Sequence, residues 1–197
     1  GHTALNAMGG VGACLALGYP LDAVLGAVPA ACAELPGRRF ETVYAVNGVR
    51  VVADYAHHPV ELKRAVQMAL LFRPKRLRVV FQPHRYTRTL ALRDQFPEAF
   101  EGADEMILLP VYAASEDPVL GGSIADLYAA FRKAGAKALL ARSVEEVFEH
   151  LTFTVRPGDL ILVAGAGDII ALADRIREEW ASQMPDGGEP RMPKGFD

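Results

Sequence analysis

The sequence predicts an α/β protein built on a mainly parallel, Rossmann-like sheet that begins with a β-hairpin and has helices on both faces. Two patterns favour this class. After residue 50, short apolar runs alternate with longer amphipathic segments, which is typical of βαβ units. Before them, Asn47-Gly48 separates two runs rich in β-branched and aromatic residues, which is a strong hairpin signal.

Length and periodicity define the individual elements. The hairpin strands are "RFETVYAV" and "VRVVADY", on either side of the Asn-Gly turn. Four further apolar runs have the composition of buried parallel strands: 77–82, 105–109, 137–141 and 159–164. Five segments have helical periodicity: 59–73, 88–101, 123–134, 143–151 and 168–181.

The two ends of the chain lack the alternating pattern. Residues 1–36 contain two helical segments rich in alanine and glycine, broken near Gly18-Tyr19-Pro20, which cannot bury themselves well alone. We expect this segment to be the end of a neighbouring domain. Residues 37–182 are predicted to form a complete domain, and residues 183–197, rich in Pro and Gly, a flexible tail.

Composition and charge favour a globular protein of the cytoplasm. Apolar residues make up 51% and charged residues 23% of the 197 residues, and the formal net charge is −3. This charge gives no electrostatic reason to expect nucleic acid or a membrane surface as the partner. No apolar run approaches the ~18 residues that cross a membrane. Cys14 and Cys32 lack metal-binding spacing and are expected to be buried free thiols.

Residues that carry chemistry concentrate where predicted strands lead into helices. In open α/β sheets, ligands bind beyond the carboxyl ends of the strands. "VVADYAHHPVELKRA" has Asp54 at such a strand end, and His57 and His58 stand just before Pro59, where proline suits a first helical turn. A strand-end carboxylate can accept hydrogen bonds from sugar hydroxyls. For either histidine alone, helix capping or packing is as good an explanation as ligand binding.

"FQPHRYTRT", residues 81–89, is the most informative junction. A strand of buried type leads into His84, Arg85 and Arg88, and its two threonines are candidates to cap the next helix. Arginines three positions apart on a first helical turn can face one anion, and guanidinium groups match phosphate or carboxylate oxygens. We therefore expect an anion-binding function here.

"AGAGDIIALA", residues 164–173, follows the last strand and is a weaker signal. Gly165 and Gly167 allow a tight turn, and Asp168 is a candidate N-cap. Such a turn is as often a packing turn as a phosphate cradle. The sequence contains no GxxxxGK[ST] phosphate-binding loop, and no GxSxG or HExxH motif.

In this order, "HTALNA", "GRRFE", "DYAHHP", "FQPHRYTRT" and "GAGDI" resemble the C-terminal part of a ligase of the ATP-dependent Mur ligase family of peptidoglycan synthesis. The resemblance extends over residues 2–180, and the two longest motifs carry it. It implies three domains: one for a UDP-sugar, a central P-loop ATPase and a C-terminal dinucleotide-fold domain. Residues 1–36 would then be the last helices of the central domain, and the fragment alone would be inactive.

The resemblance also implies a reaction. The full-length enzyme would use ATP to phosphorylate the carboxylate of UDP-N-acetylmuramate, and L-alanine would then attack the acyl phosphate to give an amide. ATP and Mg²⁺ are the implied cofactors, with Mg²⁺ bound mainly by the missing central domain. The implied partners are these small molecules and the missing domains of the same chain, with no nucleic acid and no membrane.

The family's functional residues transfer to matching positions. His2 and Asn6 match a helix start that contacts the adenine end of ATP. Arg38 or its neighbour Arg39 matches an arginine that reaches ATP phosphate, and we assign this role to Arg38. Asp54 matches an aspartate that binds the nucleotide ribose.

The remaining matches concern the reacting groups. One set would line the amino-acid side of the cleft: Tyr55, His57 and His58. A second set would approach the γ-phosphate, the acyl phosphate or the amino-acid carboxylate: His84, Arg85 and Arg88. Four of these six residues are the predicted catalytic residues: His57, His84, Arg85 and Arg88.

Three alternatives remain open from the sequence. The first is a ligase of the same family that joins a murein peptide to the same UDP-sugar. The second is a metal-dependent hydrolase that uses Asp54, His57, His58 and His84. The third is a nucleotide-binding module without catalytic activity.

Overall fold

The computed structural model describes residues 2–33 and 39–183, with side chains for residues 8–27 and 39–182. Two compact units make up the chain, Gly1–Gly37 and Arg38–Asp197. Within the described parts, no helix is both long enough and apolar enough to cross a membrane. The predicted tail falls almost wholly outside the described residues.

The first unit consists of two helices, α1 (His2–Ala16) and α2 (Leu21–Ala33). The chain turns between them at Gly18, whose φ of +86° lies in the left-handed region that favours glycine. The break therefore occurs where the sequence predicts it. Cys14 is a free thiol, half-buried rather than buried, and the side chain of Cys32 lies outside the described residues.

The second unit begins with the predicted hairpin. Strands β1 (Glu41–Val46) and β2 (Val49–Asp54) pair in antiparallel orientation. Asn47 and Gly48 connect them with φ values of +52° and +74°, the two positive angles that a tight hairpin turn requires. The hairpin prediction is confirmed.

Four more strands complete a single sheet: β3 (Arg76–Phe81), β4 (Glu105–Leu108), β5 (Ala138–Leu140) and β6 (Asp159–Ala164). Their order is β1-β2-β6-β3-β4-β5, and all neighbours except β1 and β2 are parallel. Every residue of β6 is buried because this strand lies inside the sheet and both faces are covered. The predicted fold class is confirmed.

Between the hairpin and residue 183, the structure has six helices: α3 (Pro59–Leu70), α4 (Tyr86–Leu92), α5 (Phe96–Ala99), α6 (Ile124–Lys133), α7 (Val144–Thr154) and α8 (Ile170–Gln183). The prediction of one continuous helix over 88–101 was wrong. A 3₁₀ turn, Arg93–Gln95, separates α4 from α5. Pro97 explains the break, because proline inside a helix removes one backbone donor and clashes with the preceding turn.

Two hydrophobic cores lie on opposite faces of the sheet, and β6 contributes to both. Leu160 and Leu162 belong to the core formed with α3, α5 and α6. Ile161 and Val163 belong to the core formed with α7 and α8. Alternate side chains of a strand point to opposite faces, so one apolar strand anchors helices on both sides.

The amino-terminal edge of the sheet contains a buried ionic network centred on Arg78 of β3. Arg78 is fully buried, and its Nε donates to Glu105 at the start of β4. Its Nη2 donates to the Thr154 hydroxyl at 2.7 Å, and its Nη1 lies 3.8 Å from Asp159 Oδ2. His150 Nε2 lies 3.1 Å from Glu105 Oε1. The side chain of Arg78 therefore joins β3 to three other elements at this edge, which are β4, β6 and α7.

Arg78→Ala should lower the free energy of unfolding by about 3–5 kcal/mol, because it leaves the partly buried Glu105 without its arginine counter-ion, whereas Asp159 keeps its ion pair with Arg76. Urea unfolding followed by circular dichroism measures the change. Lys63→Ala, which removes the exposed ion pair with Glu98, is the matched control and should change stability little. Equal effects of the two substitutions would contradict a stabilising function of the network.

Candidate active site at the carboxyl edge of the sheet

The loops that follow four neighbouring strands meet at the opposite edge of the sheet. The pairing aligns Asp54, the last residue of β2, with Ala164 of β6, and Ala164 with Phe81 of β3. Phe81 in turn aligns with Leu108 of β4. Because these strands are parallel, their carboxyl ends deliver the following loops to one place, as predicted for a ligand site.

Asp54 connects two backbone segments at this edge. Its Oδ2 accepts a hydrogen bond from the Phe40 N–H at 2.8 Å, and its Oδ1 accepts one from the Ala56 N–H at 2.7 Å. Burial raises the pKa of Asp54, and these two backbone donors oppose that rise. The carboxylate therefore positions the loop of residues 55–58, and each oxygen keeps lone pairs that can accept further hydrogen bonds.

The two adjacent histidines have different environments. His58 is the N-cap of α3: its Nδ1 accepts from the Val60 N–H at 3.3 Å. Glu61 completes the cap, because its Oε2 accepts from the N–H groups of His57 and His58 at 3.1 and 3.3 Å. The capping explanation holds for His58, and its predicted substrate contact stays a prediction.

His57 turns toward the site instead. Its ring centroid lies 5.5 Å from that of His84 and 5.5 Å from that of Tyr55. Its Nδ1 is 2.9 Å from the Tyr55 carbonyl oxygen, which can only accept. Neutral His57 therefore carries its proton on Nδ1 and has its lone pair on Nε2; this tautomer is assigned from the partner.

His84 has the opposite tautomer. Its Nδ1 lies 3.3 Å from Nη1 of Arg88, and a guanidinium can only donate, so the proton of neutral His84 is on Nε2. Its ring stacks on Tyr112, with centroids 5.5 Å apart and planes inclined by 26°. Burial lowers the pKa of His84, with further lowering by His57, Arg88 and Arg85. The neutral imidazole is thus favoured.

Arg85 precedes α4 in a strained conformation, with φ +73° and ψ 135°. Its guanidinium is half exposed and lies 3.7 Å from Glu116 Oε1. Arg88 lies in the first turn of α4, so both arginines are near the start of this helix, as predicted. Arg85, Arg88 and His84 are close enough that the two arginines lower the pKa of the histidine.

The predicted caps of α4 were wrong. The helix begins at Tyr86, before either threonine, so neither can occupy the capping position. The Thr89 hydroxyl donates to the Arg85 carbonyl at 2.8 Å, and Thr87 donates to Glu116. Arg85 stands at the N-cap position and provides no capping side chain.

The turn after β6 is a packing turn. Gln82 Nε2 donates to Asp168 at 2.6 Å, and Gln82 Oε1 accepts from the Ile169 N–H at 3.1 Å. A Cβ at Gly167 would lie 2.5 Å from both Gln82 Oε1 and Tyr112 Cγ, so only glycine fits. Asp168 was predicted as the N-cap of the last helix, but α8 begins two residues later, at Ile170. The carboxylate of Asp168 accepts the hydrogen bond from Gln82 instead.

The sequence did not indicate Tyr112 and Glu116, which follow β4. The Tyr112 carbonyl accepts from the Arg85 N–H at 2.8 Å, and the Tyr112 N–H donates to the Pro83 carbonyl at 2.8 Å. The rule that ligands bind beyond the carboxyl ends of strands also applies to "PVYAASE", the junction after β4. The sequence predictions above did not include this junction.

Three predicted residues fall wholly or partly outside the described part of the chain. The side chains of His2 and Asn6, and the whole of Arg38, lie outside the described residues. Arg39 is described, and its guanidinium carbon lies 5.5 Å from the centroid of the Tyr55 ring. Among the described residues, no three His, Cys, Asp or Glu side chains are grouped so that they could bind a metal ion.

The arrangement as a whole suits an anionic ligand. Among the described residues, His84 contacts both His57 and Arg88, and Arg85 lies close enough to lower the pKa of His84. Asp54 and Tyr55 begin the loop that ends in the two histidines. Guanidinium groups donate to phosphate or carboxylate oxygens, and two imidazoles of opposite tautomer offer one donor and one acceptor.

Comparison with known proteins matches most of the chain to one family. Residues 38–167 match the family model described as "Mur ligase, glutamate ligase domain". A UDP-N-acetylmuramate–L-alanine ligase from Pelotomaculum thermopropionicum is 40% identical over 184 residues, which are 90% of this chain and 39% of the relative. The chain thus spans about two fifths of the length of that relative.

Solved structures show the same fold. A UDP-N-acetylmuramate–alanine ligase from Thermotoga maritima superposes with a TM-score of 0.67 at 29% identity, covering 93% of this chain and 38% of that one. A murein peptide ligase from Psychrobacter arcticus superposes with a TM-score of 0.68 at 20% identity, covering 89% and 36%. Because the family model matches more than half of its residues, the chain belongs to the Mur ligase family.

Proposed function

We propose that the chain is the C-terminal part of a cytoplasmic, ATP-dependent ligase that joins L-alanine to the carboxylate of UDP-N-acetylmuramate. The observation that carries the proposal is the cluster of two imidazoles and two arginines at the carboxyl edge of the sheet. The name of the 40% identical relative, which matches along 90% of this chain, supports the choice of substrates. The N-terminal and central domains of the longer protein would complete the site.

The reaction requires the muramoyl carboxylate to become an acyl phosphate at the expense of ATP. The amine of L-alanine then attacks the carbonyl carbon, the C–N bond forms, the C–O bond to phosphate breaks, and inorganic phosphate leaves. The family resemblance assigns Mg²⁺ to the central domain, where it would neutralise phosphate charge. The residues of this chain would bind the anions, exclude water and accept a proton.

The geometry suggests a role for each side chain of the cluster. Arg85 and Arg88 would donate to the phosphate or carboxylate oxygens. His84 Nε2–H would donate to an oxygen of the acyl phosphate. His57 Nε2 would accept the proton that the ammonium group of L-alanine must lose before its nitrogen can attack.

Other assignments follow from the resemblance alone. Asp54 would bind the ribose of ATP, and Tyr55 and His58 would line the amino-acid side of the cleft. His2, Asn6 and Arg38 would contact the nucleotide.

A direct assay of the intact ligase tests the proposal. With UDP-N-acetylmuramate and ATP present, phosphate release should depend on L-alanine, and the product should be the muramoyl amide. A murein tripeptide should be a poor acceptor by comparison, because two relatives named for L-alanine are 40% identical to this chain, whereas the murein peptide ligase is 20% identical. A preference for the tripeptide, or release of phosphate without amide, would contradict the proposal.

Removal of the cluster's side chains should reduce kcat without unfolding the protein. His57→Ala should lower kcat by about 100-fold or more, as expected when a general base is lost. Arg85→Ala and Arg88→Ala should lower kcat and raise KM for an anionic substrate. Lys63→Ala and Arg175→Ala, whose side chains pair with Glu98 and Glu179 outside the cluster, are the matched controls. Wild-type turnover in all three site variants would refute the assignment.

The titration of His84 should report its surroundings. Because its pKa is lowered, His84 should titrate below its ordinary value of 6.5 in the folded protein. Protonation then costs more in the folded than in the unfolded state, so stability should fall as the pH drops below 6.5 toward the lower pKa of the folded protein. Arg88→Gln should raise the pKa by removing a nearby positive charge. NMR titration of the imidazole C–H signals measures both, and a normal or raised value in the wild type would disprove the expected environment.

A further inference from the structure

The loop after β4, residues 110–116, contacts the arginine-bearing segment but has no role in the reaction described above. Its backbone pairs with that segment: His84 and Tyr112 form a parallel β-bridge. The Arg85 N–H donates to the Tyr112 carbonyl and the Tyr112 N–H donates to the Pro83 carbonyl, both at 2.8 Å. The conformation of one loop therefore depends on the other.

Backbone strain is concentrated where these loops meet. Among the described residues, six other than glycine have a positive φ, and three of them are Arg85 (+73°), Ala114 (+49°) and Ser115 (+67°). Residues with side chains pay a steric cost in this region, so such conformations persist only where surrounding contacts impose them. The contacts that impose the conformation of Arg85 should therefore be found in this loop.

Glu116 adds side-chain contacts to this backbone pairing. Its Oε2 accepts from the Thr87 N–H at 3.1 Å, its Oε1 accepts from the Thr87 hydroxyl at 2.7 Å, and the same Oε1 lies 3.7 Å from Arg85 Nη1. Hydrogen bonds from the backbone N–H and the hydroxyl of Thr87 lower the pKa of Glu116, so Glu116 is a carboxylate at neutral pH. One carboxylate thus contacts both the start of α4 and the guanidinium of Arg85.

The sequence of α4 explains why a distant carboxylate is needed. The first N–H groups of a helix have no partner within the helix, and the preceding residue usually provides a capping oxygen. Here that residue is Arg85, whose side chain makes no capping hydrogen bond. Glu116 performs the capping function from another loop, which leaves the capping position to an arginine.

We propose that Glu116 is a positioning residue for Arg85: it caps the first turn of α4 from the neighbouring loop, stabilises the left-handed backbone of Arg85, and aims the guanidinium at the phosphate or carboxylate group of a substrate. The proposal rests on the proposed function for the identity of that substrate. An ordinary surface ion pair would contribute little and would not fix the backbone. The hydrogen bond from the Thr87 N–H to Glu116 distinguishes the proposed positioning role from an ordinary ion pair.

Three variants test this inference. Glu116→Ala removes both the cap and the counter-ion. Glu116→Gln removes the charge and keeps one acceptor oxygen for the Thr87 N–H. Asp117→Asn is the matched control, because it removes a carboxylate from the next position of the same loop, where the side chain is exposed.

The first measurement uses the present chain and does not depend on any ligase activity. Amide hydrogen exchange at Arg85 and Thr87 should become at least about tenfold faster in Glu116→Ala, the loss expected for one hydrogen bond to a charged group. The slower exchange of the wild type should be partly restored in Glu116→Gln, and exchange in Asp117→Asn should equal that of the wild type. The pKa of His84 should fall further in both Glu116 variants, because the Glu116 carboxylate raises it.

The second measurement uses the intact ligase and titrates UDP-N-acetylmuramate, L-alanine and ATP separately. Glu116→Ala should raise KM for one of these by about tenfold and lower kcat less, with partial recovery in Glu116→Gln. Kinetics identical to those of Asp117→Asn would overturn the inference, whether or not exchange changes. If the wild-type enzyme makes no amide, the proposed function fails, and unchanged exchange in Glu116→Ala would separately overturn the positioning role.

Discussion

A row of backbone hydrogen bonds across the carboxyl ends of four strands determines where the candidate residues from Asp54 to Glu116 lie. The pairing continues past the strands: Gly165 N–H donates to the Asp54 carbonyl and Gln82 N–H to the Ala164 carbonyl, both at 3.1 Å, and Leu109 N–H donates to the Phe81 carbonyl at 2.9 Å. The first residue after β3, β4 and β6 is therefore held by the same kind of hydrogen bond as the strand before it. The side chains that follow diverge from a rigid edge, which is what an active site requires of its scaffold.

The adjacent histidines show how this edge is divided between folding and chemistry. His58 caps α3, and Glu61 satisfies the N–H groups of both histidines, so the start of the helix is fixed by local contacts. His57 is thereby released to face His84 and to present Nε2 toward the site. Neighbouring residues at a helix start point in different directions, so one can stabilise the helix while the other contacts a ligand.

The sequence was sufficient for features that depend on local chemistry or on simple periodicity. Asn47-Gly48 specifies a turn, and the apolar run of β6 specifies a strand covered on both faces, so the sheet and the edge at which the candidate residues meet were predictable. Glu116 was not, because its role depends on a contact between residues 29 positions apart, between Thr87 and a loop of irregular backbone. The two caps predicted for α4 failed for the same reason: the true cap comes from elsewhere in the chain.

The charged side chain of Arg78 is buried and paired with carboxylates at one edge of the sheet, whereas that of Arg85 is partly exposed and loosely paired at the other. At the amino edge, Arg78 is fully buried and its carboxylate partners surround it, because a buried cation without counter-ions is costly. At the carboxyl edge, Arg85 is half exposed with its counter-ion at 3.7 Å, and burial keeps the neighbouring His84 largely neutral. An arginine that is loosely paired and partly hydrated can exchange one carboxylate for the oxygen of a ligand at small cost, whereas Arg78 cannot. The fold therefore places its fixed charges at one edge and its exchangeable charges at the other.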